Sequence, residues 1–451
     1  MVNQREIRIK VSHDKITFIR DNNSKDSDFK KDAFKLELSV ARIFHRVLNA
    51  YRLSRDIIFE KTDYEILGKS LFKMLIDYDE AKSFLFPVIA DVLRNPDQRC
   101  RIYLEFSSSA DDLATLPWEY LLLENENPKI EPTFLAADEK SKFDLIRSIN
   151  SIDSSFKPVA NQKLTVIIVT ANCTAEQSLK ISLDKMEKWR VKLSRDFSDS
   201  LEILTIQQPS KFRFAEDLEN LMNNIDGPCV LHFFGHARVE DRVGQLLFIE
   251  NEESADWIDD KSFADYFSNV NHSLPHVIVL QACSSGRVTC YDGQQMRGVG
   301  LNLAMQKIPA VVAMQNDVTE EDSFAFLNVL YRSLLSGDDI ANAVTKGRTY
   351  LGCTYKNNPN AKNYSNNIFG TPVLFLSTSE PISLMIKKTE IEIPQSNRKR
   401  CTKCGKQWIN FSGNKCQVMA CGGILESVSG ESASSEPSLI DKSRPDASAA
   451  I

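Results

Sequence analysis

The hydrophobic pattern changes character at Lys163. From there, short β-branched runs alternate with helical patterns. The runs Leu164–Thr170, Leu201–Ile206, Cys229–Phe234, Val277–Ala282, Ala310–Met314 and Val373–Leu376 are almost continuously apolar, which predicts strands buried on both faces. Apolar spacings of three and four predict helices over Glu176–Leu193, Ala215–Ile225, Arg297–Gln306, Glu321–Leu335 and Ile340–Tyr350. Buried strands separated by helices predict an α/β fold, with a mostly parallel sheet sandwiched by helices.

Upstream the pattern is mixed. Lys35–Leu53 reads as an amphipathic helix and Arg101–Phe106 as a strand, followed by a polar turn and the run LPWEYLLLE at Leu116–Glu124. Beyond Ser377 the text weakens into a linker rich in Lys, Glu and Pro. Four cysteines then cluster within 401–421, and from Glu426 a Ser-, Ala-, Glu- and Pro-rich tail buries too little apolar surface to offset ordering entropy. The predicted organisation is an N-terminal α/β portion over 1–155 and a main α/β domain over 156–380. A linker (381–400), a cysteine module (401–424) and a disordered tail (425–451) follow.

Composition adds exclusions. With 451 residues, about three units are expected at roughly 150 residues per domain. The 42% apolar and 26% charged residues are those of a soluble globular protein. A net charge of −6 gives no global drive toward nucleic acid or acidic membranes. The start MVNQREIRIK lacks an apolar signal region, and no apolar run is long enough to cross a bilayer. A cytoplasmic protein is therefore expected, its ten cysteines reduced rather than paired in disulfides.

In a parallel sheet, chemistry gathers outside the carboxyl ends of the strands. Two predicted strands end on reactive residues. CVLHFF runs into Gly235-His236-Ala237, and VIVLQA runs into Cys283-Ser284-Ser285-Gly286. One crossover separates them, so the two side chains can face each other across neighbouring strands. An imidazole beside a thiol raises its thiolate fraction and can later protonate a leaving amine. The backbone N–H groups of Gly235 and Cys283 are candidate oxyanion donors, and Gly235, lacking a Cβ, would let substrate come close to the backbone. An Asp, an Asn or a backbone carbonyl could orient His236, and the sequence does not choose.

Gln281-Ala282-Cys283 with a histidine upstream matches the caspase signature, with one extra residue before Gly286. FFGHA followed by LQACSSG resembles the CHAT branch of the caspase-like, clan CD cysteine peptidases. LPWEYLL at 116–122 resembles that family's upstream element, and the segment 310–344 resembles the one following its cysteine. The four elements fall in family order over roughly residues 60–380; Ala237 departs from the usual glycine. The resemblance implies a regulated bacterial peptidase of a defence system. It would cut a partner protein, gasdermin-like or CRISPR-associated, and wait for an activating partner encoded nearby. No membrane or direct nucleic-acid contact is expected. The rival readings are a catalytically silent caspase-like adaptor and a different thiol hydrolase on a doubly wound sheet.

The remaining candidates have plainer readings. His232 lies inside its strand and reads as a core histidine; His272 and His276 flank a turn and read as structural. Cys100, Cys173, Cys229 and Cys353 read as small buried residues, and Cys290 as a loop residue. Glu320, Glu321 and Asp322 fit the first turn of a helix, where acids are favoured. Asp317 precedes that turn and is a candidate pocket acid for a basic substrate side chain. The loop Arg287–Arg297 would shape the cleft, and a partner could order it. Cys401-x2-Cys404 has tetrahedral zinc-ligand spacing and Cys416-x4-Cys421 is wider than the common x2; the four are read as the ligands of a structural zinc ribbon, the one cofactor expected. Unligated thiols or a redox pair are its alternatives.

Overall fold

The predicted strands of the second half all form, and all but the edge strand at Leu201–Gln207 are buried on both faces. A computed structural model of the chain describes residues 3–12, 15–20, 23–28, 31–51, 61–76, 78–107, 110–123, 132–138, 140–149, 161, 163–173, 179–251, 254–268, 274–289, 296–354, 368–386, 398–402, 407–409 and 425–427. Residues 1–387 make one compact unit and 388–451 a second.

In the first unit the chain begins with β1 (Asn3–Val11), β2 (Lys15–Arg20) and β3 (Asn23–Asp28), then α1 (Lys31–Tyr51), α2 (Lys61–Leu75), α3 (Asp79–Arg94) and β4 (Gln98–Phe106). A short α4 (Asp111–Ala114), the small pair β5 (Leu122–Leu123) and β6 (Thr133–Phe134), and β7 (Phe143–Ser148) complete this half. The second half alternates β8 (Leu164–Thr170), α5 (Leu183–Asp196), β9 (Leu201–Gln207), α6 (Lys211–Met222) and β10 (Cys229–Phe234). A three-stranded side sheet follows, made of β11 (Ala237–Glu240), β12 (Val243–Asn251) and β13 (Ser254–Asp259). Then come α7 (Asp260–Asp265), β14 (Val277–Gln281), α8 (Val299–Met305), β15 (Ala310–Met314), α9 (Glu320–Leu335), α10 (Ile340–Thr354) and β16 (Pro372–Leu376).

Eleven strands share one sheet, ordered β3-β2-β1-β4-β7-β16-β15-β14-β10-β8-β9. The five strands from β15 to β9 are mutually parallel. So are β1, β4, β7 and β16. The two parallel sets meet at β15–β16, which is antiparallel. The segments 1–155 and 156–380 thus contribute strands to a single sheet. Alternation sorts the strand side chains into two cores. Val166, Ile168, Val277 and Val279 face the cluster that contains α5, α9 and α10 side chains. Ile167, Val169, Ile278 and Leu280 face the cluster that contains those of α6, α7 and α8.

Several helix boundaries differ from expectation: the helix expected over Ala215–Ile225 spans Lys211–Met222, and the last one runs on to Thr354. Of the helix expected over Glu176–Leu193, Glu176 lies outside the described residues and α5 begins at Leu183. The helix expected from Arg297 starts at Val299, because Arg297 exchanges both backbone hydrogen bonds with Thr289 at 2.8 Å. Among the described residues no helix is long and apolar enough to cross a membrane.

The LPWEYLL run supplies the tie across the sheet junction. Glu119 is fully buried and pairs with Arg147 of β7, at 2.6 Å to Nη2 and 3.0 Å to Nε. Gln315, just past β15, donates to the same carboxylate at 2.7 Å and to the Gly370 carbonyl at 2.5 Å. Arg348 of α10 brings Nη2 to 3.9 Å from Glu119, while Nε and Nη1 donate to the carbonyls of Pro372 and Leu145 at 2.9 Å. Burial raises the Glu119 pKa, but the two guanidinium groups outweigh it and the net shift is downward. The Arg348 pKa is pushed down to about 10, burial being the largest cause.

In the second unit β17 (Arg398–Cys401), β18 (Gln407–Ile409) and β19 (Leu425–Ser427) form an antiparallel sheet with β17 central. Cys401 ends β17. Cys404, Cys416 and Cys421 lie outside the described residues, as do His272, Cys290 and the tail from 428.

Removing one partner of a buried ion pair strands the other charge, at a cost of about 3–5 kcal/mol. Glu119→Ala is therefore expected to destabilise the protein by that order in urea denaturation. Glu187→Ala, which breaks an exposed pair with Arg190, should cost about 0.5 kcal/mol or less. Equal effects would contradict the tie.

Candidate active site

The register of β10 and β14 pairs Phe234 with Gln281. His236 and Cys283 each lie two residues beyond that pair, at matching positions past the ends of adjacent parallel strands that run about 4.8 Å apart. The ladder runs one step further: the Gly235 N–H, expected as an oxyanion donor, donates to the Gln281 carbonyl at 3.3 Å. Glycine is needed at 235 for packing. A Cβ there would stand 3.0 Å from the Phe233 ring and 3.3 Å from the Ala171 carbonyl. The expectation that this bare backbone admits substrate is replaced by a close internal fit.

The turn after β14 is clamped onto β15. Ser285 is buried, its hydroxyl accepting from Met314 N at 3.2 Å and donating to Leu280 O at 3.4 Å. Gly286 N donates to Met314 O at 2.8 Å, and a Cβ at 286 would press Ala313 and Gln315 N at 3.1 Å. Placing Gly286 there with one extra residue sets Ser284 in the left-handed region, at φ 57°, a conformation costing about 1 kcal/mol for a non-glycine residue. That strain sits directly beside Cys283.

Of four described cysteines, Cys100, Cys173 and Cys229 are buried and Cys283 is partly exposed. Burial pushes the Cys229 thiol up to about 12, which leaves it inert. The Cys283 thiol lies 3.7 Å from the Val318 carbonyl, in position to donate to it. Ser284 Oγ lies 3.4 Å from Asp317 Oδ1. Burial lowers the Arg287 pKa, and the Asp317 carboxylate opposes that shift. Asp317 therefore faces the cysteine turn. Glu320, Glu321 and Asp322 occupy the first turn of α9, where Thr319 caps the helix by accepting from Asp322 N at 3.2 Å.

His236 is half-buried. Burial lowers its pKa; the carbonyls of Leu179 and Lys180 and the charge of Glu320 oppose the shift without reversing it. Backbone carbonyls are thus the polar groups closest to orienting the ring. Nε2 is buried and, among the described residues, has no hydrogen-bond partner, so the ring keeps one open nitrogen. Beside a thiol, such an imidazole can accept its proton and return it to a leaving group. His232 is different in kind. It is fully buried, stacked on Tyr331, and bonded through Nε2 to Gln281 Oε1 at 3.1 Å. It is a core residue, as its place within the strand predicts.

The loop after the turn has a fixed base. Thr289 and Arg297 close it, Thr289 Oγ1 donates to Arg242 O at 2.5 Å, and the Arg297 guanidinium pairs with Asp260. Residues 290–295 lie outside the described residues.

A model of the CHAT domain family matches residues 66–363. Separase of Saccharomyces cerevisiae, solved with securin, is similar with a TM-score of 0.47 and 12% identity, over 85% of this chain and 30% of that one. The chain thus spans under a third of separase. Gingipain R of Porphyromonas gingivalis gives 0.40 and 12%, over 71% of this chain and 69% of its own. The Drosophila initiator caspase Dronc gives 0.33 and 12%, over 51% and 86%. No curated protein matches.

Burial pushes the His232 pKa down to about 4, against a hydrogen bond accepted by Gln281 Oε1 that raises it. In the unfolded chain the ring protonates near 6.5. The folded state therefore binds fewer protons between those values, and stability present above pH 6.5 is lost as pH falls toward 4. His232→Phe is expected to flatten urea-measured stability across that window, by up to about 3 kcal/mol. An unchanged slope would count against a neutral buried His232.

Proposed function

The chain belongs to the CHAT domain family, and from that premise we propose that it is a cysteine endopeptidase with Cys283 as nucleophile and His236 as acid–base partner. The observation that carries the proposal is the matched position of the two residues past the last pair of β10 and β14. His236 Nε2 takes the thiol proton, and Sγ attacks the scissile carbonyl carbon. The Cys283 amide holds the oxyanion. The tetrahedral species collapses, the C–N bond breaks, and His236 passes its proton to the departing amine. Water, deprotonated by His236, then cleaves the thioester and releases the acid product. Asp317, beside Ser284, is proposed to receive a basic side chain of the substrate.

The substrate is proposed to be a partner protein in a bacterial defence setting, gasdermin-like or CRISPR-associated, with activity restrained until a neighbouring gene product docks. The proposed restraint acts on the loop between Thr289 and Arg297. The second unit is proposed to hold structural zinc through Cys401, Cys404, Cys416 and Cys421. A silent adaptor would keep the same fold without turnover.

Cys283→Ala and His236→Ala should each reduce peptide or partner cleavage to background, with urea midpoints close to the parent. Wild-type cleavage by Cys283→Ala would sink the assignment. No labelling of Cys283 by a thiol-directed peptide probe, and no cleavage with any genomic neighbour present, would favour the adaptor. Asp317→Asn should lower kcat/KM on Arg and Lys peptides by roughly tenfold or more, leaving other peptides little changed. Metal analysis should find about one zinc per chain, lost on Cys401→Ser; protein without zinc would remove the ribbon.

A further inference from the structure

Glu320 does something its place at a helix start does not require. The α9 cap is complete without it: Thr319 accepts from Asp322 N and donates to the Asp322 carboxylate at 2.6 Å. Glu320 reaches away from its helix. Its Oε1 accepts the Ser182 N–H at 2.9 Å, and Oε2 pairs with Lys185 Nζ at 3.1 Å. Ser182 precedes α5 and makes no side-chain cap of its own. The preceding amide, Ile181 N, donates to Asn172 Oδ1 at 3.0 Å, and Asn172 is bracketed by the Gln208 side chain at 2.7 and 2.8 Å. The strand-to-helix segment is therefore held at two successive amides, one of them by α9. Leu179 and Lys180, whose carbonyls hold the His236 pKa up against burial, lie directly before those amides.

We infer that Glu320 is the positioning residue for His236, pinning the 179–182 segment against the imidazole and setting a negative charge near the ring. The inference rests on the peptidase reading for its catalytic meaning but not for its geometry. The charged groups on the surrounding elements are Glu320 and Glu321 of α9, Lys185 of α5, Lys180 in the segment, and Asp317 and Arg287 beside the cysteine turn. Lys185 bridges to Glu320 and lies 3.9 Å from Glu321, so it tempers the acid field. Glu320 favours the imidazolium that forms once the thiol has given up its proton.

The test uses the full chain. In the Cys283→Ala background, which removes the coupled thiol, His236 is titrated by NMR and assigned by its loss in His236→Gln. Glu320→Gln should lower its midpoint by about 0.5–1 unit, because a negative charge that favours protonation is gone. Lys185→Met should move it up. In the Cys283 enzyme, Glu320→Gln should lower kcat roughly tenfold with KM within about twofold, and shift the acid limb of kcat/KM to lower pH. A folded Glu320→Gln protein whose His236 titrates as in the parent overturns the inference. If Glu320→Gln does not fold, an unmoved His236 in Lys185→Met does so instead. Failure of every variant and the parent to cleave any peptide would remove the peptidase reading, while the NMR titration still decides the role of Glu320.

Discussion

A carboxylate buried among two guanidinium groups and a carboxamide holds this molecule together. Glu119 stands where the two oppositely directed parallel sets of strands meet, and its partners come from β7, the end of β15 and α10. Desolvating such charges costs several kcal/mol per ion, recovered only with good geometry and satisfied remaining donors. Here most are satisfied: Arg147 also bonds to Ala114 O and Leu116 O at 3.1 Å, and Arg348 to two carbonyls. The neighbouring packing leaves no slack, since a Cβ on Gly370 would overlap the Tyr120 ring at 2.4 Å. A polar network this complete specifies one arrangement of its elements.

That arrangement reaches the candidate site through Gln315. Its side chain ends in the ion cluster, and its main chain leads through Asn316 and Asp317 to Val318, the carbonyl facing Cys283. The same connection enters α9, where Glu320 grips the segment beside His236. One short stretch running from β15 into α9 therefore contacts Cys283 and grips the segment that bears on His236. The clamp of Ser285 on Leu280 and Met314 fixes the nucleophile turn from the other direction.

Sequence reading was strongest where burial made the signal simple. The main-sheet strands β8, β10, β14, β15 and β16 were legible because both their faces are covered. The strand-end positions of His236 and Cys283 followed from the same pattern. β1 went unread although Ile7, Ile9 and Val11 alternate clearly; its charged outward positions disguise a strand with one buried set of side chains. The side sheet β11–β13 was hidden by its polar first strand. Glu119 looked like part of an apolar run, since no local pattern reveals partners that lie 28 and 196 positions away. Glu320 fitted a helix dipole so well that its long-range bond left no trace. Gly235 was misread because the Phe233 ring and Ala171 carbonyl that require it are tertiary neighbours.

The antiparallel junction between β15 and β16 also bears on how such a chain can change over time. Strands β1, β4, β7 and β16 direct their carboxyl ends to one border of the sheet, and β8, β9, β10, β14 and β15 direct theirs to the opposite border. Among the described main-sheet strands of the N-terminal half, β2 alone directs its carboxyl end to the border carrying His236 and Cys283. At the junction that half contributes a counter-ion and a neighbouring strand. Excising residues 156–380 as a module would leave β16 without β7 and Arg348 without Glu119. The two halves are consequently bound to a common history: insertions can collect in the loops of either border, but neither half can be traded for another without carrying the junction with it.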